Sequence, residues 1–470
     1  MVPGKEVPLR TVTLARFAPA ALAALVLAGP VLAESFQLPS YMESWSGIQH
    51  PGSPAADMFD SVKNCNLGGK WRLSFGGSTR LRFEADDNLK LGTDGIANDQ
   101  LGRLRSMLHL DISHGGMFRW YSEIAHADTL SSDRMTSGRD ENDADVQDFF
   151  LDFTAVPNTP HPVTFRLGRQ EMAFGNERLV GLDDFSNVRN TFDGLRIIGR
   201  TKRTETSLFG MRPVERMEEH DFDETNDAYR FLGLHSEFRP RTNHVLQGYF
   251  FSLHDDREIH SSEKTGKAGD ATYNTVGARY AWTHGGFLVE TELAWQGGHV
   301  SDDDINAGFG TVNASYTWQM PWRPRLGWGV EVATGDANAS DGRRGTFNPL
   351  FGSSHTGMGF MGITGRRNLE AARLGIEVLP MKGMRWSTTA LVSQLEEKND
   401  ALYGERGEIL RKNAGADNVG IEVESELSYE FLTHHEIAMA VSHLWGDDVI
   451  DNAGQESDAT WGWVGYQFRF

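Results

Sequence analysis

The chain has 470 residues, a formal net charge of −20, 51 glycines and one cysteine, Cys65. Such acidity lacks the basic footprint that nucleic acid requires, and a single cysteine excludes an internal disulfide. Overall hydropathy is negative. Beyond the first 33 residues no apolar run approaches the ~20 needed for a membrane helix, so a membrane location would require a closed barrel.

Lys5, Arg10 and Arg16 precede an apolar run over 17–29 and then Val31-Leu32-Ala33. A charged start, a short apolar centre and a small residue at the end predict a secretory signal peptide over 1–33, cleaved after Ala33. Loss of three basic residues and one acid, Glu6, takes the charge from −20 to −20 − 3 + 1 = −22. Cys65 does not follow the signal directly, so it is not a lipoprotein anchor. Residues 34–70 mix proline, glycine and serine without a period. They predict a periplasmic lead-in or a segment tucked into a barrel mouth, since so short a stretch is too small to bury the core of a separate folded domain.

From Trp71 onward, apolar and polar residues alternate with the period of a strand. In 71–85, Trp71, Leu73, Phe75, Leu81 and Phe83 oppose Arg72, Ser74, Arg80, Arg82 and Glu84. Residues 101–112, 118–127 and 146–155 repeat the pattern, with a polar loop at 128–145. Two strand-like arms then flank a loop in VTFRLGRQEMAFGNERLVGLDDFSNVRNTFDGLRII, residues 163–198. Further strands are predicted at 203–212, 228–238, 244–254, 272–282, 287–296, 311–320, 326–334, 371–379, 384–394, 418–429, 436–445 and 460–470, with a long loop at 335–369. Short turns such as 156–161, 283–286 and 380–383 alternate loosely with long polar loops. Trp71, Trp120, Trp282, Trp318, Trp322, Trp386 and Trp445 lie near strand ends, where a membrane–water interface favours them. The last strand, TWGWVGYQFRF, ends on Phe470. The pattern predicts an all-β transmembrane antiparallel up-and-down barrel of about 18 strands, residues 71–470.

The wording of 165–181 and 187–196 resembles the signature hairpin of the alginate-export family of outer-membrane barrels. FNPLFGSSHTGMGFMG at 347–362 is similar to that family's loop before a late strand. The resemblance implies an outer-membrane porin of a Gram-negative bacterium that exports alginate or a similar polyuronate. An uptake porin for small organic acids or sugars is the alternative. Within the signature, strict alternation puts Arg169 on the same face as Phe165 and Leu167, the lipid side.

Charged residues on the lipid face cost roughly 2–4 kcal/mol for Arg or Lys at mid-depth, so the alternating charges are expected to line the lumen. The pore-lining candidates are Arg80, Arg82, Arg103, Arg105, Arg119, Arg166, Arg196, Arg279, Arg373 and Arg385. The first seven are expected to form one basic sector, suited to a carboxylate because guanidinium pairs with it bidentately. Asp148, Asp152, Glu290, Glu292, Glu422, Glu424 and Glu426 are the acidic lumen candidates. About eighteen strands enclose an interior too wide for side chains alone to fill.

Enzyme motifs are weak. Ser353 and His355 lack the nucleophile-elbow pattern, and His434-His435 has no zinc-site spacing. Asp183-Asp184, Asp255-Asp256 and Asp302-Asp303-Asp304 read as solvated loop acids. No enzyme activity, cofactor or metal is predicted. The expected partners are outer-membrane lipid and lipopolysaccharide, an anionic polysaccharide or small anionic solute, the barrel assembly machinery and a periplasmic secretion partner.

Overall fold

The computed structural model describes residues 36–45 and 57–470, apart from 92, 94, 218–221, 354, 413–414 and 452–456. The expected signal peptide and its cleavage site lie outside the described residues.

Eighteen strands close into one antiparallel barrel. They are β1 (Trp71–Asp87), β2 (Asn98–His114), β3 (Phe118–Ser131), β4 (Asn142–Ala155), β5 (Val163–Gln170), β6 (Phe192–Arg200), β7 (Thr204–Glu215), β8 (Tyr229–Arg241) and β9 (His244–Ser261). There follow β10 (Ala268–His284), β11 (Phe287–Val300), β12 (Asp303–Thr317), β13 (Arg325–Ala333), β14 (Leu369–Val378), β15 (Met384–Gln394), β16 (Asn418–Phe431), β17 (His435–Gly446) and β18 (Ala459–Arg469). Each strand pairs with its sequence neighbours. The sheet closes where β1 meets β18, from Ser78 opposite Arg469 to Asp87 opposite Thr460. Closure removes the exposed edges that hydrocarbon would not tolerate.

Burial runs opposite to that of a soluble protein. On β5, Phe165 and Leu167 are exposed while Arg166 between them is buried. On β13, Leu326, Trp328, Val330 and Val332 face out while Glu331 is buried. The outer surface is apolar and the inner one charged, as a barrel in lipid requires.

One rim carries tight connections, at 115–117, 156–162, 201–203, 242–243, 285–286, 318–324, 379–383 and 432–434. Gly285 and Gly286, with φ of 56° and 94°, supply the left-handed pair that a two-residue hairpin needs. Trp71, Trp120, Trp282, Trp318, Trp322 and Trp386 gather toward this rim, and Trp445 lies toward the other. The longer loops, including 132–141, 171–191, 334–368 and 395–417, share the opposite rim, which is extracellular in outer-membrane barrels.

Several strands run further than their sequence pattern indicates, among them β9, which reaches Ser261. β12 begins at Asp303, so the acids at 302–304 sit at a tight turn and the start of a strand. Asp302 and Asp304 are exposed, as solvated acids would be, but Asp303 is fully buried and accepts from Ser262 Oγ and the Glu263 amide. Asp255 is likewise buried, held by Arg257 and His260.

The lead-in enters the lumen from the short-turn rim. Tyr41 is buried edge-on against Tyr121 and Phe150, at 5.9 and 5.3 Å between ring centroids. Its hydroxyl donates to the Glu171 carbonyl at 2.8 Å, and its carbonyl accepts from Arg119. Nearer the rim, Phe59 packs on Phe470, whose amide and carbonyl pair with Gly77 of β1. Residues Cys65–Gly68 add a short strand against the start of β1, leaving Cys65 as a free thiol.

Candidate functional site

The middle of the 163–198 stretch folds inward. Gly168 begins the departure. Its φ is 126°, and a Cβ there would meet the Phe149 carbonyl at 2.2 Å, so the position requires glycine. The adjacent Arg169 stays in register on the outer face, near the long-loop rim. There Asp193 of β6 grips it bidentately, both bonds at 3.0 Å, and the carbonyls of Val146 and Asp223 accept from it. The alternation is therefore kept, and the arginine clamps β4, β5 and β6 together where the loop leaves the wall.

The inner loop, 171–191, crosses the lumen. At its far end Arg178 donates to Glu290 and Glu292 of β11 at 2.6 and 2.8 Å. At its near end it lies against the arginines of β1 and β2. Arg80 donates to the carbonyls of Asp184 and Ser186 at 2.7 and 2.9 Å, Arg82 to that of Phe185 at 2.9 Å, and Arg105 to the Asp184 carboxylate at 2.6 Å. Burial alone would raise the Asp184 carboxyl, but Arg105, Arg189 and Arg80 overcome it and hold it well below the carboxylate range. Asp183-Asp184 is thus no solvated pair: Asp184 is half-buried among arginines, and Asp183 is buried and accepts from Ser186. Asn187 anchors the returning limb through the carbonyls of Leu104, Asp128 and Asp140.

A second loop, 334–368, descends beside the first. The two share a parallel bridge between Val180 and Phe351, with Gly181 and Phe351 amides donating across it. Arg366 pairs with Glu331 of β13 at 2.5 Å. The amides of Phe360 and Met361 donate to Glu422 of β16, which also accepts from Ser442. Phe185 of the inner loop meets His355 and Phe360 of the second, with ring centroids 4.1 and 6.5 Å apart. The Arg82 guanidinium covers the Phe185 ring at 4.0 Å.

Phe185, Phe360 and Arg82 border two cavities. One, about 160 Å³, opens toward the long-loop rim and is lined by Arg103, Asp140, Glu405 and Arg406 among others. The other, about 270 Å³, lies toward the short-turn rim. Arg80 and Arg82 form part of it, and Glu426 and Glu436 another part. This puts cationic and anionic walls around one narrow passage. A third cavity of about 390 Å³ beneath the second loop mixes Arg178, Arg325 and Arg373 with Glu290 and Glu377.

The remaining arginines have local partners. Arg103 bridges Glu84 and Asp140 at 2.9 and 2.5 Å. Arg103 and Arg406 outweigh burial and bring the Asp140 carboxyl down to about 2. Arg119 is bidentate to Asp111, and Arg166 to Asp152; Arg166 also stacks over Phe150 at 3.7 Å. Arg196 donates to Ser207 and lies 5.1 Å from the Phe174 ring. Arg279 pairs with Glu290, Arg373 donates to the Gly357 carbonyl, and the half-exposed Arg385 pairs with Glu426. Arg80, Arg82 and Arg103 therefore line the two cavities, with Arg105 buried behind Asp184, whereas Arg119 and Arg166 meet around Tyr41. The acids divide too. Glu290 and Glu292 lie on β11, Asp148 and Asp152 on β4, and Glu422, Glu424 and Glu426 on β16. Because β1 closes on β18, only two strands, β17 and β18, separate the β16 acids from the β1 arginines.

The alginate export family model matches residues 71–462. No curated protein matches the chain in sequence. Among solved structures, OccAB1 of Acinetobacter baumannii superposes with a TM-score of 0.59 at 10% identity, covering 85% of this chain and 96% of that one. A BenF-like porin from Pseudomonas fluorescens Pf-5 gives 0.57 at 11% identity, covering 85% and 98%. OccK2 of Pseudomonas aeruginosa, in complex with glucuronate, gives 0.55 at 13%, covering 85% and 96%.

Proposed function

From the premise that this chain belongs to the alginate export family and has an outer-membrane porin fold, we propose that it passes small carboxylate solutes of uronate size. The observation that carries this reading is the 270 Å³ chamber between Arg80, Arg82 and Glu426, Glu436, closed above by Phe185 and Phe360. A uronate carboxylate suits the paired guanidiniums. Its hydroxyls can donate to the carboxylates opposite, and its C–H face can lie on Phe185 or Trp463. The chamber has the scale of one sugar. The glucuronate bound to OccK2 is a solute of this class. Flux is passive, because several weak sites in series let a solute enter and leave.

Liposomes carrying the protein test the reading. Glucuronate should enter faster than glucose, and glucose faster than protonated glucosamine. Equal rates for all three would overturn it.

Polyuronate export is the second reading, and the family's own description favours it. A continuous chain would need the Phe185–Phe360 contact to part and the segment at 36–45 to withdraw. Alginate oligomers crossing intact at a rate comparable to glucuronate would support export over uptake. In either case the apolar band meets outer-membrane lipid and lipopolysaccharide, the assembly machinery reads the strand ending in Phe470, and a periplasmic secretion partner is needed only for export.

A further inference from the structure

Beneath the inner loop lies a second polar cluster that the passage does not use. Glu123 of β3 stands opposite Asp148 of β4. Glu171, the first residue of the inner loop, reaches both. One carboxylate oxygen from each of the three lies within 4.8 Å of the other two, and all three residues are buried. A bulge in β4 brings Gln147 and Asp148, consecutive in sequence, both into the interior.

The hydrogen bonding of these carboxylates is half complete. Glu123 Oε2 accepts from Tyr121, Asp148 Oδ1 from the Glu171 amide, and Glu171 Oε1 from Gln147. Glu123 Oε1, Asp148 Oδ2 and Glu171 Oε2 are buried with no hydrogen-bond partner. Cationic compensation is short. Arg189 stands 3.6 Å from Glu171, but it is bound at 2.6 Å to Asp184. His109 lies 3.5 Å from Glu123. Three converging buried carboxylates with an unsatisfied oxygen each are strongly unfavourable as bare anions, and either protons or a cation must offset them.

We propose that Glu123, Asp148 and Glu171 bind calcium, which fastens the inner loop to the barrel wall. The donors are all oxygen, the choice of a hard cation. Converging carboxylates with unused lone pairs suit the flexible, six-to-eight-oxygen shell of calcium better than the strict octahedron of magnesium. Two ligands come from the rigid wall and one from the root of the loop, so the cation couples loop position to the wall.

The test uses the full mature protein in detergent micelles, stripped with EDTA. Calcium chloride titrated calorimetrically should show one saturable site, and calcium should raise the temperature at which the barrel loses its compact gel mobility. E123Q/D148N should bind at least about tenfold more weakly, because ligand charge sets the affinity of such sites. In EDTA this variant should melt no lower than the wild type, since like charges have been removed. D302N, at the exposed turn between β11 and β12, should bind as the wild type does. If the double variant fails to fold, E123Q alone and the wild-type titration still decide. Absence of saturable calcium binding to the wild type overturns the proposal, as do undiminished binding by the variants and binding of magnesium in preference to calcium.

Discussion

Replacing Arg80 and Arg82 by glutamine separates two roles that the structure gives them. Both side chains are buried at the passage and donate to the backbone carbonyls of 184–186. Charged donors of this kind are each worth about 1.5–3 kcal/mol, and glutamine can restore only part of that, so the inner loop should loosen. The charge effect follows from distance. For an ion ~8 Å from each guanidinium in water-like surroundings, each charge contributes about 0.5 kcal/mol before screening. With Debye lengths of about 30 Å at 0.01 M and 8 Å at 0.15 M, removing both charges should disfavour an anion about 4-fold at low salt and about 2-fold at physiological salt; a cation gains as much, so anion-over-cation permeability should fall about 15-fold and about 4-fold. Reversal potentials across a planar bilayer measure this. R80K/R82K keeps the charge but loses the planar fork, so selectivity should persist while conductance grows noisier. If R80Q/R82Q raises conductance and leaves selectivity unchanged at both salts, the arginines are loop fasteners only and the acid wall controls the passage.

Four other outcomes are expected. F185A and F360A should each raise single-channel conductance, the double variant adding little, because the two rings border one gap; unchanged conductance would place the passage elsewhere. Deleting Phe470 should slow insertion into the outer membrane, since its amide and carbonyl complete the β1–β18 seam; normal assembly of the truncation would show that the seam does not need it. The mature chain should begin at Glu34, fractionate with the outer membrane and migrate faster unheated than boiled; recovery in the soluble periplasm would defeat the barrel reading. On acidification, Asp140 is held down to about 2 by Arg103 and Arg406, so its stabilising contribution is complete above its unfolded pKa of about 3.9. It is lost only as pH falls toward about 2. Conductance set by that latch should be flat from pH 8 to 5, and a change centred near 6 would contradict the assignment.

The strands were legible because alternation with period two survives along most of their length, even where glycine dilutes it or, as at Gln147-Asp148, a bulge interrupts it. Several boundaries were not. β12 starts at Asp303, ahead of its Gly308 and Gly310, because main-chain pairing with β11 extends it regardless of side chains. β3 and β4 run into a stretch that reads as polar loop because their polar residues find partners at the rim, as Asn142 does with Asp223. Periodicity tells which face a charge takes but not which charge it meets. Arg166 with Asp152 could have been anticipated from adjacent strands, since only the register was missing. Arg178 with Glu290 could not, because a loop crosses the lumen to make that pair. The signature wording marked the right residues without disclosing their work. Arg169 clamps the wall, Arg178 reaches the β11 acids and Asn187 anchors the loop, whereas Asp184, which binds the arginines, falls between the two matched runs. Residues read as far apart in the chain, the β1 arginines and the β16 acids, face one passage because the barrel closes.

That closure also accounts for why the interior is built from charges. A lipid-facing surface needs only apolarity and so carries little information about which loop goes where. An eighteen-strand lumen leaves room that side chains cannot fill, and loops must be held in it against water. Buried ion pairs add little net stability, because desolvation offsets their attraction, but a mispaired one is costly. Arg178 on Glu290 and Glu292, Arg80 and Arg105 on the 184–186 turn, and Arg366 on Glu331 therefore specify the position of the two inner loops more than they strengthen it. Because those contacts are charged and border the solute path, an anionic solute that competes for Arg80 or Arg82 also competes for the loop. Solute occupancy and loop position are then linked, and a uronate should broaden the conductance distribution of the wild-type pore while leaving that of R80Q/R82Q unaltered.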